Sequence, residues 1–261
     1  TLENGYGISL LPLASFALET YKDDPCELFI PKVGPDSSFT SQEIRLMAQM
    51  QKAMAVIQFK VETQVIKRRP HYQMDDRLLL DKIDYERGVI TLNGAEYPLL
   101  DTFFPTIDPK NPDALTTEEQ AVMERLVLSF TNSKKLQQHV RYLFSAGSIY
   151  LAHDGNLLYH GCIAMNDDGE FRAFNVDGKS FAGKAFLDRV DRLARQGYFA
   201  TDNPEQKQYG MDVMWFLWCA PMSPLFGKEK MATFERYFLA DKATHAEKRN
   251  AYYTLRDTEE S

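Results

Sequence analysis

Ser148-Ile-Tyr-Leu-Ala-His-Asp-Gly-Asn-Leu-Leu-Tyr-His-Gly-Cys-Ile163 is the stretch on which the fold class turns. Ahead of it, from Thr116, the pattern is helical; within it, apolar residues fall in two short runs, Ser148 to Ala152 and Leu157 to His160. Between them, His153-Asp-Gly-Asn156 carries turn-forming residues, so the pattern predicts two short strands around a tight turn. A chain that joins such ribbons to long helices is of the mixed α+β class. The second strand delivers His160 at its end, and Gly161 lets the chain turn closely behind it. An imidazole aimed from a sheet edge is one way to present a metal ligand. A single histidine is more often a hydrogen-bonded strand-end residue, and spacing alone favours that plainer reading.

Working outward toward the N-terminus, Ile8 to Tyr21 is apolar with small residues and reads as a packed helix. Thr40 with Glu43 forms a capping box, after which Ile44, Met47, Met54, Ile57, Val61 and Val65 recur at helical spacing until Arg69-Pro70 stops them. The buried face of this helix is expected to be plain core. Gly88 to Leu92 and Glu96 to Leu100 flank Asn93-Gly94, a strong hairpin signal. Phe104 to Leu115 holds three prolines and reads as a linker, which places the expected division between residues 1–112, a helical part with a hairpin, and 113–261. A second capping box, Thr116 with Glu119, opens a helix to about Phe130, and Ser133 is expected to cap another to about Phe144.

On the C-terminal side, Phe171 to Val176 alternates weakly into a turn at Asp177-Gly178. Ala182 to Gln196 then reads as an amphipathic helix, with Gly197 expected in the C′ role. Met211 to Cys219 is an apolar run, expected to supply core through Trp215 and Trp218, and is followed by a loop from Pro221 to Gly227 and a helix around Phe234 to Phe238. Gly178-Lys-Ser-Phe-Ala-Gly183-Lys184-Ala185 imitates a phosphate-binding loop. Yet Ala185 stands where a hydroxyl is needed and the preceding strand alternates, so a hairpin turn leading into a helix is preferred. Lys67-Arg68-Arg69 could meet a phosphate, but basic residues at a helix C-terminus are favoured there by the macrodipole. Cys162 and His160 are expected to point apart, which sets aside a Cys–His nucleophile.

The composition bounds the partners. A 261-residue chain with 44% apolar residues can bury a substantial core, and a net charge of −7 with scattered Lys and Arg argues against nucleic acid. The longest apolar stretch, Ile8 to Leu18, is broken by Pro12 and two serines and falls short of the roughly 20 residues that span a bilayer. Three cysteines without a C-x-x-C spacing suit a reducing, cytoplasmic setting. The chain opens on Thr1, not Met, and is expected to be a piece of something longer.

Several blocks together are more specific than any one motif: Phe59-Lys-Val-Glu62 through Ile66-Lys-Arg-Arg-Pro70, Asp76 to Asp84, Tyr97-Pro-Leu-Leu-Asp101, Leu128 to Phe144, Leu158-Tyr-His-Gly-Cys-Ile163, Lys207 to Trp218, and Ser223-Pro-Leu-Phe-Gly-Lys228 through Thr233-Phe-Glu-Arg-Tyr237. Over nearly its whole length the chain resembles the class III fructose-1,6-bisphosphatases, a bacterial branch of the calcineurin-like metallophosphoesterases. The resemblance implies a helical insertion joined to part of a β-sandwich flanked by helices. It also implies hydrolysis of the 1-phosphate of fructose 1,6-bisphosphate in gluconeogenesis, with a divalent metal pair, manganese by resemblance, that activates water. His160 would be a metal ligand, its other ring nitrogen held by a carbonyl or carboxylate. Leu217-Trp-Cys-Ala-Pro221 stands where related phosphatases have L-W-S-D-P, and no role is carried over. None of the 14 glycines is followed by Asp or His, so the family's other ligand motifs are missing and no catalytic residue is assigned within this span. The span alone is therefore expected to be inactive. The second reading is a non-catalytic helical binding or assembly module with a structural His160; self-association into a homo-oligomer is left open.

Overall fold

In a computed structural model the described residues are 7–34, 37–176, 178–200, 202–221 and 223–257. They form a mixed α+β chain of helices and small antiparallel sheets. Two compact units emerge. The first comprises Thr1–Arg68, Asp75–Gln137 and Thr233–His245, and the second Arg69–Met74, Gln138–Ala232 and Ala246–Ser261. Their limits differ from the 112/113 division expected from composition. The proline-rich stretch does not separate compact bodies, because its carbonyls accept hydrogen bonds from α2 (Ser41–Arg68): Lys60 reaches the Thr106 carbonyl at 2.6 Å and Gln64 that of Asp113 at 2.6 Å.

In the first unit, α1 (Gly7–Thr20), α2, α3 (Thr117–Thr131) and the short α7 (Thr233–Phe238) surround one apolar core. Leu13, Ala17, Ile57, Phe59, Val122, Leu126, Phe234 and Phe238 all lie in it, each large side chain stabilising the fold by about 1.5–3 kcal/mol. Both capping boxes form. The Glu43 N–H donates to Thr40 Oγ1 at 3.3 Å, and the Glu119 N–H to Thr116 Oγ1 at 3.2 Å, with each glutamate bonding back to the cap N–H. A three-stranded sheet, β1 (Ile83–Asp84), β2 (Val89–Leu92) and β3 (Ala95–Pro98), closes around Asn93 and Gly94, whose φ values of 50° and 80° give the primed turn expected of that pair.

The face of α2 departs from plain core, because Lys52 and Lys60 are fully buried on it. Their charges are matched. Lys52 Nζ donates to Asp24 and, at 2.6 Å, to Asp101, while Lys60 Nζ donates to Glu119 at 2.7 Å. Sequence periodicity sorts apolar from polar positions and cannot find a lysine whose partner lies dozens of residues away.

The second unit holds most of α4 (Lys134–Ala146), two two-stranded hairpins, and the helices α5 (Gly183–Phe199), α6 (Pro204–Cys219) and α8 (Tyr252–Leu255). The hairpins are β4 (Tyr150–His153) with β5 (Asn156–Tyr159), and β6 (Phe174–Val176) with β7 (Lys179–Phe181). An aromatic cluster of Tyr72, Phe174, Phe186 and Phe216 fills the space beneath α5 and α6, with ring centroids 4.7 Å apart for Tyr72–Phe216 and 4.8 Å for Phe174–Phe216.

Two expectations are corrected here. Gly197 does not end its helix; it lies inside α5, and a Cβ there would stand 2.5 Å from Gly210 Cα of α6, so the glycine permits close helix approach. Trp218 is 51% exposed instead of core, as are Met211 and Met214 at 53% and 43%. The inner face of α6 is already occupied by Val213, Phe216 and Leu217.

Candidate functional site

The expected hairpin forms with Tyr150 paired to Tyr159 and His153 to Asn156. Its turn is Asp154-Gly155, with φ values of 49° and 75°, the left-handed pair that matches strand twist. β5 ends at Tyr159, so His160 projects beyond the ladder, exposed, and no hydrogen bond or ion pair engages its ring among the described residues. The carbonyl or carboxylate expected behind the imidazole is thus not found there.

What fixes His160 is the backbone that follows it. Gly161 lies against the loop after α6 so closely that a Cβ would stand 2.4 Å from the Pro224 carbonyl oxygen and 3.1 Å from that of Leu225. The Cys162 N–H donates to the Pro224 carbonyl at 2.9 Å. The loop is itself tied by Ser223, fully buried. Its hydroxyl donates to the Leu217 carbonyl and accepts the N–H groups of Leu225 at 3.1 Å and Phe226 at 3.2 Å. On the far side, buried Asn250 accepts through Oδ1 from the Met165 and Tyr252 N–H groups, both at 3.0 Å, and Tyr159 and Tyr252 share a hydroxyl hydrogen bond.

Cys162 and His160 do diverge, as expected, though residues two apart on a strand share a face. The ladder stops at Tyr159, and Cys162 turns inward with 1% of its surface exposed. Burial pushes its thiol up to about 11, which withholds the thiolate a nucleophile needs. The phosphate-loop imitation is a hairpin leading into α5: Gly178 has φ 72°, Lys184 is bound to Asp188 at 2.7 Å, and Asp177 lies outside the described residues. Lys67 and Arg69 are likewise engaged internally, with Asp113 at 2.7 Å and Asp212 at 2.8 Å.

For a metal, this geometry offers one donor. No group of three or more His, Cys, Asp or Glu side chains able to hold an ion occurs among the described residues. An exposed imidazole without an internal partner, on a backbone held by Gly161, fits as a single ligand of a site whose other donors come from elsewhere. Sequence reading missed Ser223 and Asn250. A serine before proline just after a helix was a weak signal for the first; nothing local marked the second.

The whole chain, residues 1–261, matches the family model described as Firmicute fructose-1,6-bisphosphatase, and the chain belongs to that family. Among its relatives, the protein named fructose-1,6-bisphosphatase class 3 from Clostridium botulinum is 55% identical over 259 residues, covering 99% of this chain and 39% of the relative. Those of the same name from Alkaliphilus metalliredigens and Bacteroides fragilis are 55% and 52% identical over 261 residues, again covering 39% of each relative. The chain therefore spans about two fifths of the length of the curated relatives it matches. No solved structure matches it. No helix among the described residues is long and apolar enough to cross a membrane.

Proposed function

We propose that this chain is a segment of a cytoplasmic fructose-1,6-bisphosphatase that releases the 1-phosphate of fructose 1,6-bisphosphate in gluconeogenesis. His160 serves in it as one ligand of a divalent metal pair, manganese by family resemblance. The carrying observation is that membership extends over all 261 residues and includes the exposed, unengaged imidazole at the end of β5. The chemistry such a pair supplies is activation of water and neutralisation of phosphoryl charge. The chain's own part is to hold a neutral imidazole nitrogen at a set position, with Gly161 carrying the backbone against the loop that anchors it.

The test is His160→Ala in the complete protein, with bound metal, phosphate release and melting temperature measured together. Metal content and turnover should fall while the melting temperature of the metal-stripped protein stays, because His160 is exposed and makes no internal contact worth more than about 0.5 kcal/mol. Normal turnover in that variant would remove the assignment. The 261-residue span alone should release no phosphate, since one imidazole cannot hold a metal pair.

The alternative, an assembly module, has one observation in its favour: Met211, Met214 and Trp218 form an exposed apolar stripe on α6. Light scattering of the isolated span separates the readings, and a clean monomer would count against assembly.

A further inference from the structure

We infer that Ser223 is a positioning residue for His160, acting through the loop against which Gly161 lies; the inference rests on the reading of His160 as a metal ligand. The route is short and continuous. Ser223 Oγ uses its full capacity, one donor and two acceptors, on three backbone groups: the Leu217 carbonyl in the last turn of α6 and the N–H groups of Leu225 and Phe226. Its own backbone adds three more ties: its N–H donates to the Ala220 carbonyl at 2.9 Å, and its carbonyl accepts from the Gly227 N–H at 3.1 Å and the Cys162 thiol at 3.8 Å. Six bonds therefore converge on one fully buried residue and set where the Pro224 and Leu225 carbonyls stand.

Those two carbonyls are the surface on which Gly161 rests, and the first also accepts the Cys162 N–H at 2.9 Å. The fit has no slack, since even a methyl group at position 161 would collide with it at 2.4 Å. His160 is one peptide away and has no side-chain hydrogen bond of its own among the described residues. The position from which its side chain departs thus depends on this backbone contact. A metal ligand is usually oriented by a hydrogen bond to its second ring nitrogen. Here a serine hydroxyl acts earlier in the chain of contacts, on the backbone that places the histidine Cα.

Removing the hydroxyl strands two N–H groups and one carbonyl, and the loop must rearrange to satisfy them. Loss of a group that orients a ligand typically costs about 10- to 100-fold in metal affinity, and Ser223→Ala should fall in that range. The experiment is titration of the metal-stripped complete protein with Mn²⁺, followed by calorimetry, for wild type, Ser223→Ala, Gly161→Ala and His160→Ala, with a thermal melt of each. Support consists of weakened Mn²⁺ binding in Ser223→Ala and Gly161→Ala while both still melt cooperatively, with the double variant no worse than the poorer single one. If His160→Ala loses Mn²⁺ affinity and a folded Ser223→Ala keeps it, positioning is overturned and the ligand reading stands. If His160→Ala keeps wild-type affinity, the ligand reading itself fails. Should Ser223→Ala not fold, Gly161→Ala decides: wild-type affinity there overturns the role of the loop.

Discussion

The two compact units differ in where most of their charge pairs sit. The first takes charges inside and matches them: Lys52 with Asp24 and Asp101, Lys60 with Glu119, and Arg77 with Glu235 at 2.5 and 3.0 Å, where Glu235 is fully buried. The second keeps most of its ion pairs at the surface, Arg69–Asp212 with its buried carboxylate apart, while large apolar side chains are exposed in both units. Leu151 and Leu158 share one face of the β4–β5 hairpin at 56% and 55% exposure, and α6 presents Met211, Met214 and Trp218. A two-stranded ribbon is marginal by itself, so this hairpin depends on the contacts its ends make within the second unit. The first unit carries its matched charges inside its core, and the second carries most of its own at the surface.

The sharpest way to break this contrast is Lys60→Met, which leaves Glu119 buried without its cation. Loss of one partner from such a pair costs about 3–5 kcal/mol, and a urea titration should show a lower midpoint whose shift multiplied by the m-value is of that size. A midpoint unchanged from wild type would mean that the first unit does not depend on its internal charges.

Gly197→Ala probes the second unit where it is tightly closed. The added methyl would meet Gly210 Cα at 2.5 Å, forcing α5 and α6 apart at about 1–3 kcal/mol, visible as a lower melting temperature. A variant as stable as wild type would show that the helices can separate without loss.

Glu62 sharpens the comparison through pH. Burial raises its carboxyl above the usual range, with the Gln58 hydrogen bond at 2.8 Å and the Arg77 charge pulling the other way. A carboxyl with a raised folded pKa contributes most at low pH and loses that contribution as pH climbs through the folded value. Glu62→Gln should therefore gain stability relative to wild type as pH rises from about 4 to about 7, the range above an unperturbed glutamate. Thermal melts of both proteins at several pH values measure this; a difference independent of pH would refute it.

The smallest effect is expected at Trp218→Ser. With half its surface already in water, this side chain should change stability by no more than about 0.5 kcal/mol, while binding of an apolar dye to the span should decrease. A large loss of stability would move Trp218 back into the core that sequence reading assigned it.

Much of the candidate site was legible in advance. The Asp-Gly turn, the two strands and a histidine at the end of the second all follow from residues within a dozen positions of one another, though the strand stops one residue earlier, at Tyr159. What was not legible depends on distant partners. Gly161 reads as a turn glycine, yet its φ lies outside the left-handed region, and its need for a hydrogen side chain comes from carbonyls more than sixty residues later. Gly197 reads as a helix stop for the same reason: local chemistry favours it, and only Gly210 shows why it lies within the last turn of α5.

From its own order of residues, this protein determined helix starts, hairpin turns, the mixed fold class and its family, because capping, turn geometry and periodicity act over a few positions. The tertiary structure alone decided which lysines could be buried, which tryptophan faces water and what holds His160 in place. Those outcomes depend on contacts across long stretches of chain, where the cost of burying a charge or crowding a backbone is set by whatever arrives on the other side.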